Sequence, residues 1–429
     1  MKRVFIILSL LMINQVCAKV DELQQLQLKD KLTPFGATRA GNGTEIPTWN
    51  DKKGQFKDEK PLFVINHDNY SNYIKYLSLG QRALFKNYSN FSMPIYPTHR
   101  TATAPSWVYV NSIENAIQTT LNLEKTGFEN AKAGIPFPIP KSALEIYFNH
   151  VSRWRGLQIQ NQASDASVYA DGKFTLYTRN ALIRFDGYNE KIQSNYFVSL
   201  IAKVLAPATK SGSGILLLEP LDQLNKKRSS WIWDKGRRRA IRAPNVAYDS
   251  PVQSANGLRT VDDTDLINGS PDRFNWKILQ KRELYIPYNN ESLASKKIKY
   301  KDILHKQHIN PEYTRYELHR VWVIEATLKE KWRHVYSKRV FYIDEDTWQV
   351  MVADQYNKQG KLWRVSMSYS KYFEEMPGIF TVINVFHDLT TQKYHVMGLQ
   401  NQEKSTNKFN GEIAKNNIFT PSGFKRYMK

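Results

Sequence analysis

Between residues 314 and 372 the sequence runs through four strand-like segments, RYELHRVWVIEATL, RHVYSKRVFYID, TWQVMVADQY and KLWRVSMSYS, separated by short polar breaks. Connections this short cannot carry parallel crossovers, which need a dozen or more residues, so the segments must form an antiparallel meander. TVINVFHDLTTQKYHVMG extends it by a further hairpin. The alternation is unusual. Val321, Trp322, Val323 and Ile324 put apolar residues on both phases, whereas a sheet with one wetted face alternates cleanly. Both faces are therefore expected to be covered, either in an ordinary two-layer core or by a curved sheet that packs helices and encloses an apolar cavity.

Upstream, SVYADGKFTLYT reads as a hairpin turning at Asp171-Gly172, and SSWIWDKGRRRAIRA as two strands reversing around Asp234-Lys235-Gly236. Before about residue 155 the texture is loop and short helix. Asp68 can cap a segment in which Tyr70, Tyr73, Ile74, Leu77 and Leu84 recur near helical spacing, and Ser112 opens another through Ala116, Ile117 and Leu121. The stretch GIPFPIPKSALEIYFNHVSRWRG joins these halves. Its prolines remove backbone donors and enforce extended geometry. Ser142 followed by Glu145 then has capping-box spacing, predicting a helix over about 142–152. Either this is a plain connector, or the proline arm is a lid or clamp carrying Arg153 and Arg155.

The first residues, MKRVFIILSLLMINQVCAK, show a basic start, a short apolar run and a small-residue end at Ala18, the pattern of a cleaved secretory signal peptide. Val16 does not suit a lipobox. Cleavage after Ala18 removes the single cysteine, Cys17, and with it any disulfide, thiol nucleophile or thiolate metal site. The chain carries 61 Lys and Arg against 40 Asp and Glu, a formal net charge of +21. For an exported protein this balance points to anionic membrane surfaces or acidic ligands, and not to nucleic acid.

Signals for catalysis are weak. No histidine falls in HExxH, His305 and His308 lack a neighbouring carboxylate, and SGSG at 211–214 lacks the first glycine of a nucleophile elbow. Asp262, Asp263, Asp265 and Asp272 crowd together, but Ile267 stands where a calcium loop wants an oxygen ligand. Turns and strand-end caps account for them. Arg237, Arg238, Arg239 and Arg242 form a basic hairpin suited to anionic headgroups or a partner, or simply to solvent.

LTPFGATRAGNGTEIPTW, GIPFPIPKSALEIYFNHVSRWRG, LAPATKSGSGILLLEPLDQ, KKRSSWIWDKGRRRAIRAPNVAYDSP, NGLRTVDDTDLINGSPDRFNWKILQKRELYIPYN, YELHRVWVIEATLKEKWRHVYSKRVFYIDED and DQYNKQGKLWR together resemble the DUF1329 family of Gram-negative exported proteins. Ala143 stands where glycine is usual and Phe148 where tryptophan is. The resemblance implies an α+β, mostly antiparallel fold of the LolA/LolB lipoprotein-sorting type: an incomplete β-barrel wrapped over helices, its apolar interior holding acyl chains. It also implies association with an efflux-type inner-membrane transporter and an outer-membrane protein. It carries over no catalytic residue, no cofactor and no metal.

The expected organisation is a signal peptide over 1–18, a loop and helix region over 19–155 and a barrel over 156–429. The expected function is a periplasmic, non-enzymatic carrier of a lipid-like molecule. Trp231, Trp233, Tyr285, Trp322, Ile324 and Phe341 are the cavity candidates, and Pro136, Phe137, Pro138 and Pro140 the covering arm. A structural adaptor that holds no ligand, or an exported hydrolase, are the alternatives.

Overall fold

The computed structural model describes residues 20–50, 59–192, 194–243 and 248–429, so the expected signal peptide lies outside the described residues. Thirteen strands carry the architecture: β1 (Gln158–Val168), β2 (Phe174–Arg184), β3 (Val198–Ala206), β4 (Gly214–Glu219), β5 (Ser229–Asp234), β6 (Arg239–Arg242), β7 (Phe274–Pro287), β8 (Tyr316–Leu328), β9 (Lys338–Asp344), β10 (Val350–Tyr356), β11 (Leu362–Phe373), β12 (Gly378–Asp388) and β13 (Lys393–Leu399). With three short strands, 63–65, 93–95 and 408–409, they make one sheet.

Its order follows from two meanders. Strands β1 to β6 pair successively, the chain then crosses to the far edge, and β7 to β13 pair successively. The last strand closes onto the first, with Tyr394 opposite Val168 and Val396 opposite Ala166. Among the described residues β6 and β7 do not pair with each other, leaving an unclosed sheet with two free edges. Free edges invite further strands unless they are charged. Here Lys277 and Lys281 stand exposed on β7, and Arg239 and Arg242 on β6.

Both phases of β8, β9 and β10 are largely buried, as the sequence implies. Val321 and Val323 pack on one face with Leu84, Phe85 and Ile95, while Ile324 and Trp322 face a second cluster with Ile146 and Phe148. The core thus runs across the boundary expected near residue 155. Four helices cover the sheet: α1 (Leu79–Asn87), α2 (Ser106–Gln118), α3 (Ala143–Ser152) and α4 (Pro421–Met428). No helix among the described residues is long and apolar enough to cross a membrane.

Helix α3 begins where the capping box places it. Ser142 Oγ accepts from the Glu145 amide and the Glu145 carboxylate accepts from the Ser142 amide, each at 3.3 Å. The proline arm before it is internal. Asn149 of α3 accepts from the Phe137 amide at 2.9 Å and donates to the Phe137 carbonyl at 2.7 Å, while Asn115 and Ser112 of α2 hold Ile135. A Cβ on Gly36, whose φ is +88°, would lie 1.6 Å from the Pro138 carbonyl oxygen, so the 33–37 turn also presses on the arm. Replacing Pro136, Pro138 and Pro140 together with glycine is therefore expected to act on stability, by about 1–3 kcal/mol through greater freedom of the unfolded chain. The release rate of a bound fluorescent fatty acid should stay within twofold of the parent; a fast-release variant of normal melting temperature would make the arm a lid.

Candidate functional site

The inner face of β1–β4 does not meet α3 directly. Between them, and beneath the 261–269 segment, lies a cavity of about 270 Å³. Ala163, Ile183, Leu200 and Leu217 supply its sheet wall, and Phe148 and Val151 its helix wall. At β13 the wall thins. Gly398, at φ +105°, takes a conformation glycine tolerates, and a Cβ there would come 3.0 Å from the Val382 carbonyl oxygen. Val382, Gly398, Gln400 and Asn407 border both this cavity and an open groove of about 650 Å³.

The polar part of the lining is dominated by arginine. Arg153 and Arg155 come from the end of α3 and the residues after it, Arg179 from β2 and Arg228 from the approach to β5. Arg153 makes a bidentate pair with Asp265, 2.7 Å on each oxygen, and Arg155 reaches the same carboxylate at 3.1 Å. Arg179 pairs with Asp165 at 2.7 Å, and Arg228 with Glu219. Asp265 has left-handed backbone, φ 58° and ψ 31°, a conformation Asp tolerates better than most residues. His150 helps to fix it: Nε2 donates to the Asp265 carbonyl at 3.1 Å, and the Val350 amide donates to Nδ1 at 3.2 Å. That pattern requires the neutral imidazole. Burial and then Arg153 push its pKa down to about 3.

Burial alone would raise the Asp265 carboxyl, but Arg153, with Arg155, holds it well below the usual carboxylate range. Arg155 moves the other way. Burial first and the like charge of Arg153 next push it down to about 10, against the pull of Asp265.

The 260–266 segment is pinned by Arg339 of β9, which donates to Asp262 at 2.8 Å and to Asp263 at 2.7 Å. The aspartate cluster therefore does more than cap turns. Asp262, Asp263 and Asp265 each answer a guanidinium, which leaves no free carboxylate pair among these three for a cation. A second cluster brings ligand atoms of His319, Asp344 and Asp346 within 4.8 Å of one another. Both Asp346 oxygens are taken by Arg100, at 2.9 and 2.7 Å. His319 lies 3.4 Å from Glu317 and 3.4 Å from Asp344, which raise its pKa to about 9 against the effect of burial. With Asp346 committed to Arg100 and His319 set between two carboxylates, this cluster reads as an ionic core.

None of the six apolar cavity candidates borders the cavity. Trp231 and Trp233 pack with Phe424 of α4, and Tyr285 is buried beside Phe63, Tyr73 and Tyr76. Trp322, Ile324 and Phe341 sit in the core cluster behind α3. Pro136, Phe137, Pro138 and Pro140 do not border it either, while Arg237, Arg238, Arg239 and Arg242 are exposed around the β5–β6 hairpin. Ala163, Leu200 and Leu217 are ordinary strand residues with no local mark in the sequence, whereas Arg153 and Arg155, two positions apart around Trp154, stand out in it.

Residues 64–425 match the family model described as "Protein of unknown function (DUF1329)". An uncharacterized protein of Pseudomonas aeruginosa is 38% identical over 436 residues, covering 97% of this chain and 96% of its own length. Among solved structures, an outer membrane lipoprotein-sorting protein domain from Vibrio parahaemolyticus is similar at 12% identity and a TM-score of 0.46, over 66% of this chain and 98% of that one. A DUF1329 family protein from Desulfovibrio piger is similar at 13% identity and a TM-score of 0.41, over 63% of this chain and 92% of that one. A LolA superfamily protein from Nitrosomonas europaea is similar at 14% identity and a TM-score of 0.40, over 66% of this chain and 100% of that one.

Proposed function

This chain belongs to the DUF1329 family, and from the geometry of its cavity we propose that it is a periplasmic carrier of an amphipathic, lipid-like molecule, whose apolar chain lies between α3 and β1–β4. The observation that carries the reading is the cavity itself: an apolar wall on β1–β4 of an unclosed sheet, with Arg153, Arg155 and Asp265 together in the same lining. Its 270 Å³ falls just under the roughly 300–1,000 Å³ of small-molecule sites, so it encloses part of a long chain. At about 0.8 kcal/mol per methylene, eight buried methylenes contribute about 6 kcal/mol before ordering costs.

Binding and not turnover fits the lining. It offers no histidine, serine or cysteine among the described residues, and its two carboxylates, Asp265 and Glu219, are both paired with arginine. Transfer between an efflux-type inner-membrane transporter and an outer-membrane protein gives such a carrier its setting. The exposed arginines of the β5–β6 hairpin, next to Ile232 and Ile241, would meet anionic headgroups during loading.

The test is to fill the cavity. Ala163→Phe places a ring against the space that Leu200 and Leu217 border, and is expected to weaken binding of a fluorescent fatty acid by at least about 30-fold, equivalent to about 2 kcal/mol. Organic extraction of the purified parent, followed by mass spectrometry, should show a lipid that the variant lacks. An unliganded parent that also binds no probe would favour the adaptor.

A further inference from the structure

We propose that the arginine end of this cavity is a monoanion site, built by Arg155 with Arg153, and that the carried molecule has an acidic oxygen head group, carboxylate or phosphate. The inference rests on the carrier reading and narrows it to a substrate class.

Four guanidiniums border the cavity and three carboxylates answer them. Arg179 with Asp165 and Arg228 with Glu219 are one-to-one pairs. Arg153 and Arg155 share Asp265 alone. Both Asp265 oxygens are already engaged by Arg153, and Arg155 adds only a second bond to Oδ2. Among the described residues one buried positive charge is left in excess.

The other carboxylate that pulls on Arg155, Glu219, is committed to Arg228. Arg155 Nη2 donates to the Val151 carbonyl at 2.8 Å and the guanidinium lies 4.6 Å from the centre of the Phe185 ring, a dipole and a quadrupole with no net charge. The Nε atoms of both Arg153 and Arg155 are buried and have no hydrogen-bond partner among the described residues. The side chains are only 4% and 14% exposed, so bulk water screens the excess poorly. An uncompensated charge in such a place is costly and a group that neutralises it binds well. The depressed affinity of Arg155 for its own proton agrees with this imbalance.

The site is also the right kind for an amphiphile. Phe185 and Ile183 continue from the guanidinium into the apolar wall, so a head group on Arg155 delivers its chain toward Leu200 and Leu217. A guanidinium fork accepts a carboxylate or a phosphate in two parallel hydrogen bonds. A single surplus charge matches a single negative one, so a singly ionised head is the best complement.

The test uses the purified protein with four fluorescent probes of one chain length, ending in a carboxylate, a singly ionised phosphodiester, an alcohol and an amine. In the parent an acidic head should bind about 10- to 100-fold more tightly than the alcohol, and the amine most weakly. The tighter of the two acids identifies the source as a fatty acid or a phospholipid-derived acid. Arg155→Gln should collapse the acid-to-alcohol ratio toward one. Arg155→Lys, which keeps the charge and covers the case in which the glutamine variant misfolds, should retain a ratio between the two. If acid and alcohol bind the parent equally well, the head-group site is overturned and the carrier stands. If no probe binds, both fall.

Discussion

Changing Arg339 to Met is expected to lower the unfolding free energy by about 3–5 kcal/mol, the cost of removing one partner from a buried ion pair. Arg339 is fully buried and serves two carboxylates at once, with a further bond from Nη2 to the Leu266 carbonyl at 3.2 Å. After its loss Asp262 keeps His334, at 3.0 Å, and Asp263 keeps Tyr336, at 2.8 Å, but neither replaces a charge. Denaturant unfolding measures the loss. The triple variant that also carries Asp262→Asn and Asp263→Asn should recover much of it, because the stranded charges are then gone. The same substitution should weaken probe binding, since Val261, Thr264, Asp265 and Ile267 of the pinned segment line the cavity. An Arg339→Met protein as stable as its parent would mean that these carboxylates find other compensation.

How far the sequence exposes this architecture depends on the range of the interaction that fixes each part. Hairpins, the capping box at Ser142 and the doubly apolar strands are local, so β8–β13, the β5–β6 reversal and α3 are legible from neighbouring residues, whereas β7 is not marked by any such pattern. The joining of β13 to β1 brings Tyr394 beside Val168, more than two hundred positions away, and leaves no local trace. The same limit hides the cavity wall. Where both phases of a strand are apolar, the alternation cannot say which face meets a helix and which meets a void. Trp231 and Trp233 thus end under α4 and Tyr285 under the 63–76 segment, whereas Ala163 and Leu217 border the cavity. Arg153 and Arg155 were legible as a pair but not as an anion site, because Asp265 arrives from a segment about 110 residues away. Glu317 and His319, two apart on one strand, necessarily share a face. What the sequence does not reveal is that Asp344 and Asp346 lie against that face.

That second ionic core makes a prediction of its own, on the alkaline side of neutrality. His319 lies between Glu317 and Asp344, with Asp346 4.0 Å away and the Tyr288 ring centred 4.1 Å from the imidazole. Arg100 and Arg315 balance the carboxylates only in part, through Asp346 and Glu317. Burial alone would strip the proton from His319, but the carboxylates outweigh it and lift the pKa to about 9. In the unfolded chain the value is about 6.5, so the folded state binds the proton more tightly. The stabilisation is complete below about pH 6.5 and is lost as pH rises through 9, amounting to about 3 kcal/mol over that interval. Melting temperature should therefore fall steadily from pH 6.5 to 9.5 in the parent. His319→Gln should be less stable at pH 6 and nearly flat over the interval, the two curves approaching each other at the alkaline end. A difference between parent and variant that stays constant across the interval would contradict the protonated core. His150, His387 and His395 cannot produce this trend, because burial pushes each of them down to about 3 and their contribution changes only as pH falls below about 6.5.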